Sequence, residues 1–151
     1  MDPVEKLIAL EEIRALMARR VRCLDEKDWE GFAACYTPDA VSYSFVRPEA
    51  PDDQIVGAQI IAERVAAALR DVTTAHQVHA PEIEILSSDR ATGVWPLNDV
   101  LSRMREGKRH WMRGYGHYRQ VYEKREGRWL IKEHRLTRLL LETGVDEPTG
   151  T

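Results

Sequence analysis

An aspartate and a histidine of this sequence have positions suited to proton transfer, namely Asp25 and His76. Asp25 ends a stretch with helical spacing of apolar residues, so its carboxylate would be partly buried at the inner end of that helix. His76 lies where a predicted helix gives way to a predicted strand, and an unperturbed histidine titrates at about pH 6.5. Each also has a plainer interpretation, because Asp25 can be a solvated acid and His76 a hydrogen-bonded structural residue. The residues alone leave both interpretations open.

A third candidate, Asp99, interrupts an otherwise apolar predicted strand. Side chains alternate between the two faces of a strand, so this carboxylate points either into the interior or to solvent. The segments over residues 111–124 and 129–142 alternate in the same way, and neither has a cleanly apolar face. The helices must nevertheless cover one face of these strands. Polar side chains therefore enter the interior, which is typical of a pocket.

Cofactor and metal motifs are missing from the sequence. His76, His79, Glu82 and Glu84 offer metal ligands, but their spacing matches no strong zinc pattern. In a strand His76 and His79 would also point to opposite faces. The Gly-Tyr-Gly at residues 114–116 has no helix after it and is not a nucleotide fingerprint. We therefore expect no metal and no other cofactor.

The composition is that of an ordinary globular chain, with 151 residues, 43% of them hydrophobic and 31% charged. The net charge of −3 gives no bulk electrostatic case for nucleic acid, and the basic run at residues 103–110 suits a solvated hairpin end. No apolar stretch approaches the ~20 residues of a membrane helix. The first residues lack the features of a signal peptide, so a cytoplasmic location is expected. Cys23 and Cys35 are too few for a disulfide scaffold.

Three helices are predicted in the first half of the chain. Apolar residues recur at helical spacing over residues 3–25, with Asp2 as the cap and Pro3 at the first helical position. A shorter helix is predicted over residues 29–36, and a third over residues 58–69. A half-buried strand over residues 41–45 lies between the last two.

From residue 76 onward the pattern has a period of two. The predicted strands are residues 76–86, 91–103, 111–124 and 129–142. Turn signals separate them, the last two being Glu106-Gly107 and Glu126-Gly127. Long strands interrupted by glycine indicate a strongly curved sheet. We therefore predict an α+β fold in which the sheet wraps around the helices and encloses a pocket.

The order of elements and several short stretches resemble the SnoaL-like branch of the nuclear-transport-factor-2-like superfamily, near scytalone dehydratase and bile-acid 7α-dehydratase. The matching stretches are residues 13–25, 36–40, 75–76, 89–93, 114–118 and 127–129. The resemblance implies a cone-shaped α+β barrel, with a curved mixed sheet around a long N-terminal helix and two further helices. It covers about residues 4–141, so we predict a single domain over residues 1–142 and a flexible tail over 143–151.

The resemblance also implies roles for particular residues. Asp25 and His76 fall at the positions of the catalytic aspartate and histidine of the dehydratase and dehydrochlorinase members. Arg20 replaces a pocket lysine of the dehydrochlorinase. Pocket-lining or substrate-binding positions are implied or proposed for the following residues: Tyr43, Trp95, Asp99, Tyr118 and His134.

On this basis the expected activity is that of a cofactor-independent dehydratase. Asp25 would orient and stabilise His76, whose other nitrogen removes a proton from the substrate. Tyr118 or a water, with Asp99 or Tyr43 nearby, would assist departure of hydroxide. The expected substrate is a steroid, polyketide or aromatic compound, because the proposed lining is apolar: Phe45, Trp95, Trp111, Met112 and Leu136. An isomerase, cyclase or hydrolase on the same pocket, or a non-catalytic ligand-binding or accessory domain, is the alternative.

The chain is also expected to form a homo-oligomer, either a dimer or a trimer. The predicted outer face of the sheet carries Trp111 or Tyr115, together with Tyr122 and Leu139. Such an apolar patch would be exposed unless a second copy covers it.

Overall fold

The computed structural model describes residues 1–43 and 53–147. In these ranges the helices are α1 (Pro3–Glu26), α2 (Trp29–Ala33) and α3 (Ala58–Ala68). The strands are β1 (Tyr36–Ser42), β2 (Ile55–Val56), β3 (Thr73–Val78), β4 (Glu82–Ile85), β5 (Arg90–Arg105), β6 (Lys108–Arg125) and β7 (Arg128–Asp146). The predicted α+β class is therefore confirmed.

The strands form one mixed sheet in the order β2-β1-β7-β6-β5-β3, with β4 also paired to β5. Strands β1 and β7 run parallel, and the other neighbours are antiparallel. The two long hairpins turn at Glu106-Gly107 and Glu126-Gly127, where all four residues have positive φ. Positive φ at both central residues is the backbone of a type I′ hairpin turn, so both predicted turns are confirmed.

Helix α1 is the element around which the sheet curves. The Asp2 side chain accepts hydrogen bonds from the backbone N–H groups of Val4 and Glu5, and the Glu5 carboxylate accepts one from the backbone of Asp2. Asp2 is therefore the cap that the sequence predicted, and Glu5 makes the cap reciprocal. Its buried face includes Ile13 and Met17. Because α1 contacts β7 on one side of the sheet and β3 and β4 on the other, the sheet closes around it.

Two predicted elements have different bounds. Helix α2 ends at Ala33 instead of residue 36, because Tyr36 already pairs with Ile131 in the parallel β1–β7 ladder. Strand β1 therefore starts before the predicted strand at residues 41–45, whose last two residues lie outside the described ranges. The ladder is irregular between Tyr36 and Val41.

The predicted strand over residues 76–86 is two strands, β3 and β4, which both pair with β5. Pro81 lies in the break between them. Proline has no N–H to donate to a ladder, so Pro81 cannot pair fully with β5.

Strand β7 continues beyond the predicted end of the folded domain at residue 142. Its pairing with β6 extends to Asp146, which lies opposite Arg109 and accepts a hydrogen bond from its Nε at 3.1 Å. The Trp111 indole donates to the same carboxylate at 3.1 Å. Residues 143–146, predicted to belong to a flexible tail, are therefore part of the sheet.

Within residues 1–43 and 53–147, no helix has the length and apolar character needed to cross a bilayer.

Candidate active site

The end of α1 and the middle of β3 bring Asp25 and His76 into contact. The Asp25 carboxylate lies 2.6 Å from Nδ1 of His76 through Oδ1, and Oδ2 accepts the backbone N–H of His76 at 2.8 Å. A carboxylate is an acceptor, so Nδ1 carries a proton, and in the neutral imidazole Nε2 presents its lone pair. The His76 side chain is 7% exposed and the Asp25 side chain 25%. The pair therefore lies at the edge of the interior.

A third hydrogen bond fixes the Asp25 carboxylate. Thr74 lies two residues before His76 on the same face of β3, and its hydroxyl donates to Oδ1 at 2.8 Å. The ammonium of Lys27 lies 3.4 Å from the same hydroxyl. Burial alone would raise the pKa of Asp25, but the hydrogen bonds from His76 and Thr74 outweigh it and lower that pKa. Asp25 is therefore an anion at neutral pH.

On its other side, His76 faces Asp99. The two residues are directly opposite in the β3–β5 ladder, and Nε2 of His76 lies 3.8 Å from Oδ2 of Asp99. Asp99 points inward and is 3% exposed, which resolves the alternative that the sequence left open. Its two oxygens accept hydrogen bonds from Nη1 and Nη2 of Arg138 at 2.5 and 3.0 Å. The buried carboxylate is thus paired with a guanidinium from β7.

Arg138 is a site residue that the sequence prediction missed. Gly114 of β6 lies opposite Asp99, and a Cβ on Gly114 would be 2.0 Å from Nη1 of Arg138 and 2.5 Å from Oδ1 of Asp99. The glycine leaves the space that the guanidinium occupies. The alternation of β7 put Arg138 on the same face as His134, and a glycine opposite Asp99 was the available signal that a long side chain crosses there.

Arg20, Tyr118 and His134 come together deeper in the interior. Arg20 Nε donates to the Tyr36 hydroxyl at 2.7 Å, Nη2 lies 3.1 Å from Nε2 of His134, and its guanidinium carbon lies 4.8 Å from the centre of the Tyr118 ring. Its Nη1 has no hydrogen-bond partner among the described residues. The structure therefore gathers two of the predicted substrate-binding residues, Tyr118 and His134, around a third, the buried Arg20.

His134 is held neutral at this position. Burial lowers its pKa well below the ordinary value, and the charges of Arg20 and His76 add to the shift. The Gln120 amide lies 2.8 Å from Nδ1 of His134. Both ring nitrogens therefore have polar neighbours inside the cone.

Trp95 and Tyr43 lie apart from the Asp25–His76 pair. Trp95 is buried, but its indole donates to the Tyr122 hydroxyl at 2.7 Å, and it precedes Asp99 on the same face by four residues, roughly 13 Å. Tyr43 contacts Arg135, whose guanidinium carbon lies 4.0 Å from the centre of its ring. Arg135 follows the inward His134, so this contact is on the outer face of the sheet.

A cavity of about 510 Å³ lies near the β5–β6 turn, and neither Asp25 nor His76 lines it. Leu101 lines it and points inward two residues after Asp99, directly opposite Thr74 and Met112 in the two ladders. Trp111 and Met112 also line it. Leu136 packs against the core, and Phe45 lies outside the described residues. No group of three metal-ligating side chains occurs in the described ranges.

Comparisons with known proteins place this geometry in a wider context. The sequence model of the SnoaL-like domain matches residues 5–135. A structure of an Asp-to-Asn variant of a protein of unknown function from Mycobacterium tuberculosis is similar at 28% identity and a TM-score of 0.74, covering 92% of this chain and 77% of that one.

Two further structures resemble the chain at lower identity. A provisionally assigned scytalone dehydratase from Novosphingobium aromaticivorans has 18% identity and a TM-score of 0.80, with 99% of each chain covered. A hexachlorocyclohexane dehydrochlorinase from Novosphingobium barchaimii has 14% identity and a TM-score of 0.78, with 94% of each chain covered. Likenesses at these identities show a shared fold.

Proposed function

The chain belongs to the SnoaL-like domain family, and we propose that it is a small-molecule dehydratase that works by acid–base catalysis with Asp25 and His76. The observation that carries the proposal is the tautomer of His76 and the hydrogen bonding of its two ring nitrogens. Its Nδ1 is bonded to the carboxylate of Asp25, and its Nε2 makes no hydrogen bond within the described ranges. An imidazole held in this tautomer has a free basic nitrogen and an anion that stabilises its protonated form.

The proposed reaction is an elimination of water next to a carbonyl group. Nε2 of His76 takes the proton from carbon, and the electrons of that C–H bond form the new double bond as the C–O bond breaks. The departing hydroxide takes a proton from Tyr118 and leaves as water, and His76 returns its proton to Tyr118 through solvent. Burial raises the pKa of Tyr118, so its hydroxyl remains protonated until it is used.

The substrate carbonyl would be bound deeper in the interior. Arg20 has an N–H without a partner among the described residues, and it is the group best suited to stabilise the negative charge that develops on a carbonyl oxygen. The apolar body of the substrate would extend into the cavity lined by Leu101 and Met112. The cavity volume of about 510 Å³ suits a small molecule. We therefore propose a hydroxylated steroid, polyketide or aromatic ketone as the substrate class.

The test is loss of water from a panel of β-hydroxy ketones of these three classes, followed by mass spectrometry. Wild-type protein should produce the dehydrated compound, and Asp25→Asn and His76→Gln should produce it at least about 100-fold more slowly. His79→Gln is the matched control, because this exposed histidine contacts Asn98 on the far side of β3. Turnover by His76→Gln at the wild-type rate would rule the proposal out.

The same assay separates the alternative functions. A product of unchanged mass would indicate an isomerase or cyclase, and a gain of water a hydrolase. Binding of a panel member without turnover would indicate a ligand-binding domain.

A cytoplasmic location also stays a prediction from the sequence.

A homo-oligomer is proposed as well. Tyr122, expected on the outer face, is fully buried, so the predicted patch is wrong in that residue. Exposed apolar side chains nevertheless lie near the end of β7, comprising Leu139, Leu140, Leu141 and Val145. Neighbouring strand residues point to opposite faces, so this end of β7 presents apolar surface on both sides, which a second copy would cover.

A further inference from the structure

We propose that Arg138 is a positioning residue that holds the Asp99 carboxylate away from Nε2 of His76 and so keeps this nitrogen open to the substrate. The inference deepens the proposed function and rests on the role of His76 as the base. Arg138 makes its hydrogen bonds to Asp99, and among the described residues it bonds neither to Asp25 nor to the imidazole of His76.

The arrangement poses a specific problem for a base. Asp99 is buried opposite His76, and its Oδ2 lies 3.8 Å from Nε2, less than 1 Å beyond the usual hydrogen-bond range of about 2.7–3.2 Å. A carboxylate and an imidazole attract each other strongly in a buried setting. If Asp99 closed this gap, His76 would be bonded to carboxylates at both nitrogens. Nε2 would then hold a proton and could not accept one.

The guanidinium of Arg138 prevents this closure by occupying both oxygens of Asp99. The two hydrogen bonds of 2.5 and 3.0 Å are bidentate, which fixes the plane of the carboxylate as well as its position. They also neutralise the charge that would otherwise face His76. A lysine could supply the charge but not the planar pair of donors.

The backbone around Arg138 is shaped for this contact. Gly114 has no side chain where the guanidinium crosses β6, and a Cβ there would overlap both Arg138 and Asp99. The β6–β7 ladder also shifts register between Tyr115 and Gly116, which places Arg138 opposite Gly116. A Cβ on Gly116 would be 2.0 Å from the Thr137 carbonyl oxygen, so this irregularity requires glycine too.

Among residues 1–43 and 53–147, few charged groups face His76 besides the two carboxylates. Lys27 reaches Asp25 only through Thr74, and Arg20 and His134 lie deeper in the interior. The charge near Nε2 is therefore set chiefly by whether Arg138 neutralises Asp99.

The experiment measures the protonation of His76 by NMR, which requires no substrate. In Arg138→Gln the freed Asp99 anion should favour the imidazolium and raise the midpoint pH of the His76 titration by about one unit. Asp99→Asn in the same chain should return the midpoint to the wild-type value. The midpoint in Arg138→Lys should lie between those of wild type and Arg138→Gln. Arg135→Gln, on the outer face of the same strand, is the control that should not change it.

Turnover then separates positioning from direct substrate binding. With a substrate in hand, Arg138→Gln should lower kcat at neutral pH about tenfold with little change in KM, and Arg138→Gln/Asp99→Asn should recover most of the loss. An unmoved titration midpoint in folded Arg138→Gln, or a double variant as slow as the single one, would overturn the inference. Because the NMR result stands without turnover, the inference can hold even if the dehydratase proposal fails.

Discussion

Asp25 Oδ1 and His76 Nδ1 lie 2.6 Å apart, although 51 residues separate them in the chain. The contact is reinforced from the main chain, because the backbone N–H of His76 donates to the other oxygen of the same carboxylate at 2.8 Å. The orientation of the imidazole is thus tied to the end of α1 at two points.

Replacing Asp25 by asparagine should lower kcat on an identified substrate by about 100-fold or more. The asparagine side chain carries no charge to stabilise the imidazolium, and its amide can hold the wrong tautomer. Steady-state kinetics at neutral pH measure the effect. Asp28→Asn is the control, because asparagine keeps the cap on α2 that Asp28 provides. Full activity of Asp25→Asn would contradict a coupled pair.

Replacing Thr74 by valine should slow turnover severalfold and destabilise the fold by about 1–2 kcal/mol. The change removes one of the hydrogen bonds that lower the pKa of Asp25, so this pKa should rise. Thermal unfolding and kinetics measure the two effects. Thr73→Val alters the preceding, exposed residue of the same strand and should be nearly silent. Equal effects of the two variants would show that the Thr74 hydroxyl has no special role.

The stability of the fold should decrease as the pH falls below about 6.5, and His134 should cause part of that loss. Burial, followed by the charges of Arg20 and His76, lowers the pKa of His134 in the folded state. Between the two pKa values the unfolded chain binds a proton that the folded chain does not, so acid favours unfolding. Denaturant titrations from pH 7.5 to 5 should show that the free energy of unfolding falls less steeply with decreasing pH in His134→Gln than in wild type. An unchanged slope would show that His134 does not contribute.

Replacing Gly114 by alanine should displace the Arg138–Asp99 pair, because the added Cβ would overlap both side chains. The expected cost is about 1–3 kcal/mol of stability, together with slower turnover. A double-variant cycle tests whether Gly114→Ala lowers activity by displacing Arg138. If Gly114 acts through Arg138, then Gly114→Ala/Arg138→Gln should be no slower than Arg138→Gln. Additive losses would point to another cause.

Replacing Leu139 by lysine should dissociate the proposed homo-oligomer without unfolding the subunit. This side chain is 75% exposed in the single chain, so the substitution removes little packing within it. Size-exclusion chromatography with light scattering measures the mass of the particle. Leu86→Lys, at another exposed apolar position, is the control. A wild-type protein that is monomeric at all concentrations would end this proposal.

Local chemistry determined much of the fold from the sequence. The Asp2 cap, the two Glu-Gly turns and the alternation that places Gly114 and Tyr118 on one face of a strand depend on residues close together in the chain. Sequence analysis could predict these features because propensity and periodicity act over a few residues. The resemblance to a family, and not the local pattern, singled out Asp25 and His76 together.

Only the tertiary structure decided which partners these residues have. Arg138 reaches Asp99 through the β5–β6–β7 register and an irregularity in one ladder, and a shift of one residue would turn its side chain to the other face. The same dependence explains why Tyr43 faces Arg135 on the outer surface and why β7 continues to Asp146. Register and pairing length are set by the summed packing of distant strands, so no short stretch of sequence contains them.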